Sequence, residues 1–320
     1  MGGMVLVMSK TILVTGGAGF IGSNLVEALL ARNFSVKVID DLSVSDANLS
    51  FIKKMGAEFY KEDISKFSTI KNIFKDVDMI FHLAAMNRAQ KSIQDPLRAN
   101  EVNITGTLNV LEASRQAGVK KVVNVSSSSV YKRKGAVPLK ENDFLEPPHP
   151  YGVGKLAGDH YTRIYHELYG MDTTTLRYFS VYGPRQLGNI DKAGVIAKFI
   201  HLVQNNLQIE VYGDGAQTRN FTYVSDVVDA TIKAGESSKS VGETFNLASD
   251  KEVSVNNLIN MVEKHTYKKA NVKYCDKLKG DPDSNPADIS KAKKILGFSP
   301  RVNIDDGVRN TVRWYNENKI

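Results

Sequence analysis

Short apolar runs alternate with longer amphipathic stretches between residue 10 and about residue 178. The apolar runs are rich in β-branched and aromatic residues and end at turn-forming residues, which is typical of buried strands. They predict strands at 12–15, 35–39, 58–60, 79–82, 122–125 and 174–176. Apolar residues at helical spacing predict helices at 21–31, 70–74, 97–117 and 151–169. Strands that alternate with helices in this way predict an α/β fold with a doubly wound parallel sheet.

Beyond residue 180 the pattern changes to shorter elements with more turn signals, such as Gly183-Pro184 and Gly213-Asp214-Gly215. This change predicts a second, smaller α+β part. Doubly wound sheets bind their ligands outside the carboxyl ends of the strands. We therefore expect the smaller part to cover that edge of the sheet.

Composition narrows the class of protein. The chain has 320 residues, 42% of them hydrophobic, and no apolar run close to the roughly 18 residues that cross a bilayer. The single cysteine, Cys275, has no partner for an internal disulfide and no metal-ligand pattern around it, so we expect no metal site and a reducing compartment. Residues 1–8 lack the basic start of a signal peptide. These features predict a soluble cytoplasmic protein.

The net charge of +7, from 42 Lys+Arg and 35 Asp+Glu, raises the question of a nucleic-acid partner. The basic residues occur in short clusters mixed with carboxylates, and no basic stripe is interleaved with aromatic residues. We therefore predict no nucleic-acid partner and no membrane partner. A smaller anionic ligand remains compatible with the charge.

Three glycines, Gly16, Gly19 and Gly22, lie between the first predicted strand and the first predicted helix. The first permits a tight turn, the second lets the backbone approach a pyrophosphate, and the third lets helix and strand pack closely, as in a Rossmann sheet. An ordinary glycine turn is the alternative, which the flanking strand and helix disfavour. Asp40, followed by Asp41, ends the second strand, where a carboxylate accepts hydrogen bonds from ribose hydroxyls and repels a 2′-phosphate. The predicted cofactor is therefore NAD rather than NADP.

Hydroxyl groups follow the fifth strand in the run SSSSVY at 126–131, and so emerge at the carboxyl edge of the sheet. Tyr151 and Lys155 lie one turn apart near the start of a predicted helix. A lysine ammonium beside a phenol favours the phenolate, which would make Tyr151 a general base. The spacing alone is weak, because Tyr315 and Lys319 repeat it, and serines at a strand end can simply satisfy backbone groups. The position after a dinucleotide motif favours the catalytic interpretation.

Together these motifs resemble the extended short-chain dehydrogenase/reductase family, and within it the NAD-dependent nucleotide-sugar epimerases of the UDP-glucose 4-epimerase and UDP-N-acetylglucosamine 4-epimerase type. The resemblance covers nearly the whole chain, with TGGAGFIG at 15–22, HLAA at 82–85, NITGTLNVLEA at 103–113, PYGVGK at 150–155, LRYFSVYGPRQ at 176–186 and VYGDGAQTRNFTYVSDV at 211–227. It implies C4 epimerisation of a UDP-sugar. Tyr151, steadied by Ser127, would take the proton of the sugar 4-hydroxyl as hydride passes to NAD, and both would return to the opposite face of a 4-keto sugar.

The resemblance also implies the site residues. The catalytic residues would be Ser127, Tyr151 and Lys155. A tightly bound NAD, regenerated in each turnover, would be held by Gly16, Gly19, Phe20, Ile21, Gly22, Asp40, Asp41, Leu42, Asp63, Ile64, Leu83, Ala84, Ala85, Asn103, Ser126, Tyr151, Lys155, Tyr178 and Phe179. The UDP-sugar would be held by Arg88, Ser127, Ser128, Ser180, Val195, Tyr212, Arg219, Asp281 and Asn285. Among these, Tyr212 matches an aromatic residue beside the uracil and Arg219 an arginine on the diphosphate.

Several positions bear on the choice of sugar. By the resemblance, Asn285 lies beside the sugar C2 substituent and is small enough to admit an N-acetyl group, so UDP-GlcNAc and UDP-GalNAc are expected alongside UDP-glucose and UDP-galactose. A UDP-uronate 4-epimerase or decarboxylase is the alternative, because Ser180 resembles the uronate enzymes and Arg88 could face a C6 carboxylate. Leu187 stands where uronate enzymes carry an arginine, and Leu278 replaces a family arginine on the phosphates. We favour the neutral sugars.

The sequence disfavours two other functions for a protein of this fold. The related 4,6-dehydratases carry an Asp-Glu pair where this chain has Ser128 and Ser129, which disfavours dehydration. An NAD-binding regulatory protein of the same fold is disfavoured because all three catalytic residues are present.

We predict an NAD-binding domain at 1–178, to which a segment near 221–248 returns, and a mainly substrate-binding domain at 179–320. The helices at 97–117 and 151–169 match those that form a homodimer interface in relatives, although their apolar positions also suit packing on the sheet.

Overall fold

The computed structural model describes residues 9–132, 135, 137–189, 193–277 and 284–318. Its strands are β1 (Thr11–Thr15), β2 (Ser35–Ile39), β3 (Glu58–Tyr60), β4 (Met79–His82), β5 (Lys121–Ser127), β6 (Asp172–Tyr178), β7 (Val181–Tyr182), β8 (Gln208–Tyr212), β9 (Thr218–Arg219), β10 (Thr222–Tyr223), β11 (Thr244–Leu247), β12 (Val253–Ser254) and β13 (Asn271–Cys275). Its α-helices are α1 (Phe20–Leu30), α2 (Leu49–Lys54), α3 (Phe67–Ile70), α4 (Ala89–Gln94), α5 (Pro96–Asn100), α6 (Thr107–Gln116), α7 (Pro150–Tyr169), α8 (Val195–Gln204), α9 (Val224–Glu236), α10 (Val255–Thr266), α11 (Ser290–Leu296) and α12 (Ile304–Asn318). Four shorter helical turns complete the described part: 3₁₀ turns at Lys71–Phe74, Ser128–Val130 and Ser238–Ser240, and a π-helical turn at Glu101–Gly106.

Seven strands form one parallel sheet in the order β3-β2-β1-β4-β5-β6-β11. The strand order reverses between β1 and β4, where Val14 pairs with Val38 on one side and with Phe81 on the other. A sheet of this order binds ligands in the crevice outside that reversal point. The prediction of a doubly wound Rossmann sheet is therefore confirmed.

The predicted strands are confirmed to within two residues at each end, and β1, β4 and β5 are almost wholly buried, as expected for strands covered on both faces of a parallel sheet. The predicted helix at 97–117 is confirmed as one run of helical residues, but the middle of the run is not α-helical. It consists of α5, the π-helical turn and α6. In the π-helical turn the side chain of Asn103 leaves the helix to bond the backbone of Met86, accepting from its N–H at 2.8 Å and donating to its C=O at 3.1 Å. Periodicity along the sequence could not indicate this interruption, because the partner lies 17 residues away.

Helices cover both faces of the sheet. On one face, α1 and α9 pack together through buried residues such as Leu25 and Val227. On the other face, α6 lies against β4 and α7 lies against β5, and Val110 and Leu111 of α6 are buried there. Burial of each such side chain contributes about 1.5–3 kcal/mol, so these layers fix the sheet edge that carries the site.

The smaller second part has a core of its own, formed by α8, α10 and α12 around the β8–β13 pair, with Ile200, Leu258 and Val312 buried. The chain also returns to the sheet: β11 adds the seventh strand beside β6, with Leu247 paired to Tyr178. None of the helices within the described ranges is long and apolar enough to cross a membrane.

Candidate active site

The glycine turn after β1 leaves no room for side chains. Gly16 has φ +72°, and a Cβ on it would lie 2.7 Å from the backbone nitrogen of Ala84. A Cβ on Gly22 would lie 2.0 Å from the carbonyl oxygen of Gly16, so α1 approaches the turn as closely as a glycine permits. Helix α1 begins after Gly19 with no side-chain cap and no acidic residue in its first turn. We call this turn, with Gly16, Gly19 and Gly22, the glycine cradle. The cradle and the N–H groups at the start of α1 fit a pyrophosphate.

Asp40 stands directly after β2 at the same edge. One carboxylate oxygen accepts a hydrogen bond from the Ala18 N–H at 3.0 Å, and the other accepts one from the Leu42 N–H at 2.9 Å. Burial raises the pKa of Asp40, while these two N–H groups oppose the rise. Each oxygen retains a lone pair, which fits the recognition of two ribose hydroxyls.

Asp41 and Asp63 share a cation that the sequence did not predict. The Arg98 guanidinium lies 2.5 Å from an Asp63 oxygen and 3.7 Å from an Asp41 oxygen. Burial would raise the pKa of Asp63, but the Ser65 N–H and Arg98 together lower it. Arg98 lies on α5, whose N-terminus is capped by the Asp95 side chain. Arg98 thus links the segments that follow β2 and β3. The sequence alone does not indicate this contact, because the three residues meet only in the folded chain.

The remaining residues predicted on the cofactor side lie along this edge. Ile64, Asn103 and Ser126 are buried, whereas Phe20, Ile21, Leu83, Ala84 and Ala85 are half-buried. Tyr178 and Phe179 are buried as well, and the Tyr178 hydroxyl bonds Thr231 of α9 at 2.6 Å. That bond directs the Tyr178 side chain into the core, so that its backbone is the part available at the sheet edge.

Helix α7 starts unusually close to the serine turn that follows β5. A Cβ on Gly152 would lie 2.4 Å from the Ser129 carbonyl oxygen, and a Cβ on Gly154 would lie 2.6 Å from Cβ of Asn103. The Tyr151 N–H donates to Ser92 Oγ at 3.0 Å, which also fixes the start of the helix against α4. These close contacts bring the predicted Ser127, Tyr151 and Lys155 to one edge of the sheet.

The phenol of Tyr151 lies near a cation that the sequence did not place beside it. Burial raises its pKa, whereas a hydrogen bond with the Ser127 side chain and the charge of Arg88 lower it. The Lys155 ammonium instead donates to the Val125 carbonyl oxygen at 2.8 Å. Burial lowers the pKa of Lys155 to about 8, and Asp159 opposes this effect. Arg88 thus adds a positive charge near the phenol, while the Lys155 side chain reaches the carbonyl oxygen of Val125 on β5.

Arg88 lies in a strained backbone conformation with φ +89° directly before α4. Its side chain is half-buried, and burial lowers the pKa of its guanidinium while Tyr151 raises it. Among the described residues, none forms a hydrogen bond or an ion pair with the Arg88 guanidinium. A guanidinium in this position is suited to an anionic ligand group.

Residues predicted on the substrate side are less closely gathered. Tyr212 is 39% exposed, and Arg219 donates to its neighbour's carbonyl oxygen, that of Thr218, at 2.7 Å. Asn285 is half-buried, and its Oδ1 is a buried atom without a partner among the described residues. Glu252, which the sequence did not indicate, accepts from the Thr218 hydroxyl and from the Asn285 N–H.

The other predicted substrate residues have diverse settings. Ser128 and Val195 are half-buried and Ser180 is exposed, with φ +35°. Asp281 and Leu278 lie outside the described residues. Arg219 and Asn285 are thus linked through Thr218 and Glu252.

The family profile described as GDP-mannose 4,6 dehydratase matches residues 13–311 of the chain. A protein of Methanocaldococcus jannaschii described as "Putative UDP-glucose 4-epimerase" is 36% identical over 309 residues, which cover 96% of this chain and 99% of that protein. The described relative and the family profile both extend over nearly the whole chain.

Two solved structures share the fold closely. The UDP-N-acetylglucosamine 4-epimerase of Methanobrevibacter ruminantium, in complex with UDP-N-acetylmuramic acid, is 37% identical with a TM-score of 0.91, covering 97% of this chain and 99% of the other. The UDP-glucuronic acid 4-epimerase of Bacillus cereus, in complex with UDP-glucuronic acid and NAD, is 33% identical with a TM-score of 0.88, covering 96% and 99%. The similarity therefore includes proteins named for neutral, N-acetylated and acidic UDP-sugars.

Proposed function

The chain belongs to the GDP-mannose 4,6-dehydratase family of extended short-chain dehydrogenases/reductases, and from this we propose that it is an NAD-dependent UDP-sugar 4-epimerase. The observation that carries the proposal is the approach of Ser127 to Tyr151 at the sheet edge that also holds the glycine cradle. Relatives of at least 33% identity are named as 4-epimerases of UDP-sugars. The arrangement of the site and the names of the relatives thus both support UDP-sugar 4-epimerisation.

The cofactor would be held by the glycine turn, by the N-terminus of α1 and by Asp40. When bound, NAD supplies reversible oxidation of a carbinol carbon. The Asp40 carboxylate favours it over NADP, since a 2′-phosphate would meet a negative charge. The related structure of the Bacillus cereus enzyme contains NAD.

The chain's own residues would move the proton of the sugar 4-hydroxyl. Tyr151 accepts this proton as a general base and later returns it to the oxygen of the inverted centre. Ser127 hydrogen-bonds the phenol, and the Arg88 charge favours the phenolate. Ser128 and Ser129 offer hydroxyl groups where a dehydratase needs a carboxyl pair, so the reaction would end at epimerisation.

Asn285 supports a broad choice of neutral sugars. Its side chain is short, and its Oδ1, which has no partner among the described residues, is a hydrogen-bond acceptor that an N-acetyl group could use. We therefore propose turnover of UDP-GlcNAc and UDP-GalNAc alongside UDP-glucose and UDP-galactose, with Tyr212 against the uracil and Arg219 on the diphosphate.

A second candidate is epimerisation of a UDP-uronate. The observation that favours it is the half-buried guanidinium of Arg88 beside Tyr151, which forms no ion pair with any described residue. A C6 carboxylate would match that charge. The leucine at position 187, a described half-buried residue, carries no charge for such a carboxylate, so the neutral sugars remain our first choice.

The experiment is an assay of C4 epimerisation with purified protein on UDP-hexoses, UDP-N-acetylhexosamines and UDP-uronates. We expect interconversion of UDP-glucose with UDP-galactose and of their N-acetyl counterparts. Faster turnover of UDP-glucuronate than of every neutral sugar would establish the second candidate. Bound NAD with no turnover of any UDP-sugar would instead favour a non-catalytic NAD-binding protein.

We also propose that the chain forms a homodimer and that its NAD-binding domain ends near residue 178, where the mainly substrate-binding domain begins. Several apolar side chains on α5 and α7 are exposed, among them Leu97 at 83%, Leu168 at 72% and Tyr169 at 54%. Apolar exposure of this extent on neighbouring helices suits an interface between two copies. Gel filtration with light scattering should give about twice the mass of one 35.4 kDa chain, and a monomer would remove the proposal.

A further inference from the structure

A buried ion pair lies behind the candidate catalytic residues. Asp159 follows Lys155 by one turn of α7, and both side chains are buried. One carboxylate oxygen of Asp159 accepts from Arg177 Nε at 2.9 Å, with side-chain exposures of only 6% and 5%. Asp159 thus bonds Arg177 directly and lies one helical turn from Lys155, whose ammonium group bonds the Val125 carbonyl oxygen.

Hydrogen bonds link this ion pair to the serine turn, residues 127–130. Arg177 donates to the Tyr131 hydroxyl at 2.7 Å and to the Glu141 carbonyl oxygen at 2.9 Å, and Tyr131 donates in turn to Asn246 Oδ1 at 2.7 Å. Tyr131 directly follows the 3₁₀ turn Ser128–Val130, whose N-cap is Ser127. The helix that carries Tyr151 and Lys155 is thereby linked to the turn that carries Ser127.

The charge around Lys155 depends on this carboxylate. The groups that face the cluster from the packed elements are His82 of β4, Ser126 of β5 and Arg177 of β6. Burial and the Lys155 charge lower the pKa of His82 to about 3, so the imidazole is neutral and carries no compensating charge. Burial raises the pKa of Asp159, but Arg177 and Lys155 both favour its ionised form. Within the described part of the chain, Asp159 is thus the carboxyl group that faces these two cations.

Two atoms of the cluster are incompletely bonded. Asp159 Oδ1 and Ser126 Oγ are buried without a hydrogen bond of good geometry among the described residues. The Ser126 hydroxyl is nevertheless close enough to help lower the pKa of Asp159. An ion pair kept for stability alone would gain from full hydrogen bonding, since unsatisfied buried polar atoms are costly. The retained carboxylate therefore points to a role in the site.

Resting on the proposed function, we propose that Asp159 is a positioning residue of the reaction: its carboxylate holds Lys155 in the ammonium form and, through Arg177 and Tyr131, fixes the turn that carries Ser127. Asp159 touches neither substrate nor cofactor in this scheme. It acts through Lys155 and through the turn. No covalent or redox step is added to the reaction.

The first test is the pH dependence of Asp159→Asn. Removing the anion leaves Lys155 opposite Arg177, so Lys155 should lose its proton at lower pH. We expect the alkaline limb of the kcat profile to move down by about one pH unit. Asp159→Glu, which keeps the charge, should restore the limb to its original position.

A matched control is Asp226→Asn. Asp226 lies on α9 and is 8% exposed against 7% for Asp159, and its carboxylate accepts from the Val302 N–H rather than from the residues around Lys155. The alkaline limb of Asp226→Asn should coincide with that of the unmodified protein. If Asp159→Asn lowered kcat equally at every pH, with no movement of the alkaline limb, the proposal that Asp159 controls the protonation of Lys155 would be overturned.

The second test covers the case in which Asp159→Asn does not fold. Tyr131→Phe keeps both charges and removes only the hydroxyl that links Arg177 to the turn. We expect kcat to fall roughly tenfold with KM unchanged, the size of effect that one lost hydrogen bond produces. An unchanged kcat would overturn the positioning role.

A readout independent of turnover is the dissociation constant of NAD, measured by calorimetry between pH 6 and pH 9.5. In Asp159→Asn it should begin to rise at lower pH than in the unmodified protein, and superimposable curves would contradict the proposal. Failure of the unmodified protein to epimerise any UDP-sugar would defeat the proposed function. Normal turnover with unshifted profiles would defeat only this inference.

Discussion

The cofactor side and the substrate side of the cleft are built differently. On the cofactor side, the glycine turn, Asp40 and the residues after β4 follow strands of one sheet, and close backbone contacts fix them, such as the approach of α1 to Gly16. On the substrate side, Tyr212, Arg219 and Asn285 come from short strands and connecting segments of the second part, and Tyr212 is exposed. The difference indicates that the chemistry rests on a rigid edge, while the choice of sugar rests on parts that can vary.

The catalytic residues lie on the rigid side of this comparison. Gly152 and Gly154 allow α7 to approach the serine turn and the π-helical turn, so Tyr151 is held by the same layers that hold the cofactor cradle. Changes on this side should therefore affect turnover with every sugar alike. Changes on the other side should alter KM and sugar preference but leave the binding of NAD unchanged.

The largest expected effect follows from Tyr151→Phe, which removes the general base. We expect kcat to fall about 10³-fold, within the range for loss of acid–base catalysis, with the affinity for NAD retained. Turnover by coupled assay and NAD content by absorbance measure the two quantities. Tyr161→Phe is the control, because Tyr161 lies on the same helix, is also half-buried and should have near-normal turnover. Near-normal turnover of Tyr151→Phe would remove Tyr151 from the mechanism.

The next effect concerns the cradle. In Gly22→Ala a Cβ would lie 2.0 Å from the Gly16 carbonyl oxygen, so α1 must shift away from the turn. We expect the dissociation constant of NAD to rise about 10²-fold and the protein to lose thermal stability, since such overpacking costs roughly 1–3 kcal/mol. Gly158→Ala is the control, because the nearest atom to its Cβ, Thr107 Cγ2, lies at an ordinary 3.5 Å. Unchanged affinity for NAD in Gly22→Ala would show that the turn does not hold the cofactor.

On the substrate side, Arg219→Leu should raise KM for UDP-glucose roughly 10- to 100-fold, because a hydrogen bond to a charged group contributes about 1.5–3 kcal/mol. The dissociation constant of NAD should not change. Steady-state kinetics and calorimetry measure the pair of constants. A parallel loss of NAD affinity would mean that the two sides of the cleft are not independent, and the comparison above would fail.

The smallest effect concerns sugar preference. Asn285→Tyr should reduce kcat/KM for UDP-GlcNAc by roughly tenfold relative to UDP-glucose, because a large ring would occupy the space proposed for the N-acetyl group. The ratio of the two values within one variant cancels differences in folding or protein concentration. An unchanged ratio would remove Asn285 from the control of specificity.

The parts of the fold that the sequence predicted correctly depend on local patterns. The buried strands are contiguous apolar runs, and the glycine turn is defined by spacings of three residues between a strand and a helix. The break at Asn103 was missed, since its cause is a contact with Met86 that becomes local only in the fold.

The site was predicted less completely, for the same reason. Arg98 reaches Asp63 from 35 residues away, and Arg177 reaches Asp159 from 18. One signal in the sequence could have indicated Arg177: it is the charged residue in the buried part of β6, residues 173–178, and a buried charge requires a partner. The position of Arg88 beside Tyr151 depends on how α4 packs against α7, and no spacing along the chain encodes it.

The fate of the hydrogen on sugar carbon 4 tests the proposed reaction most directly. UDP-glucose carrying deuterium at C4 would be incubated with the protein in ordinary water, and the UDP-galactose formed would be analysed by mass spectrometry and NMR. We predict that the deuterium remains at C4 of the product, because the hydrogen is removed and returned within the closed site. Loss of the deuterium to water during epimerisation would contradict the proposed mechanism.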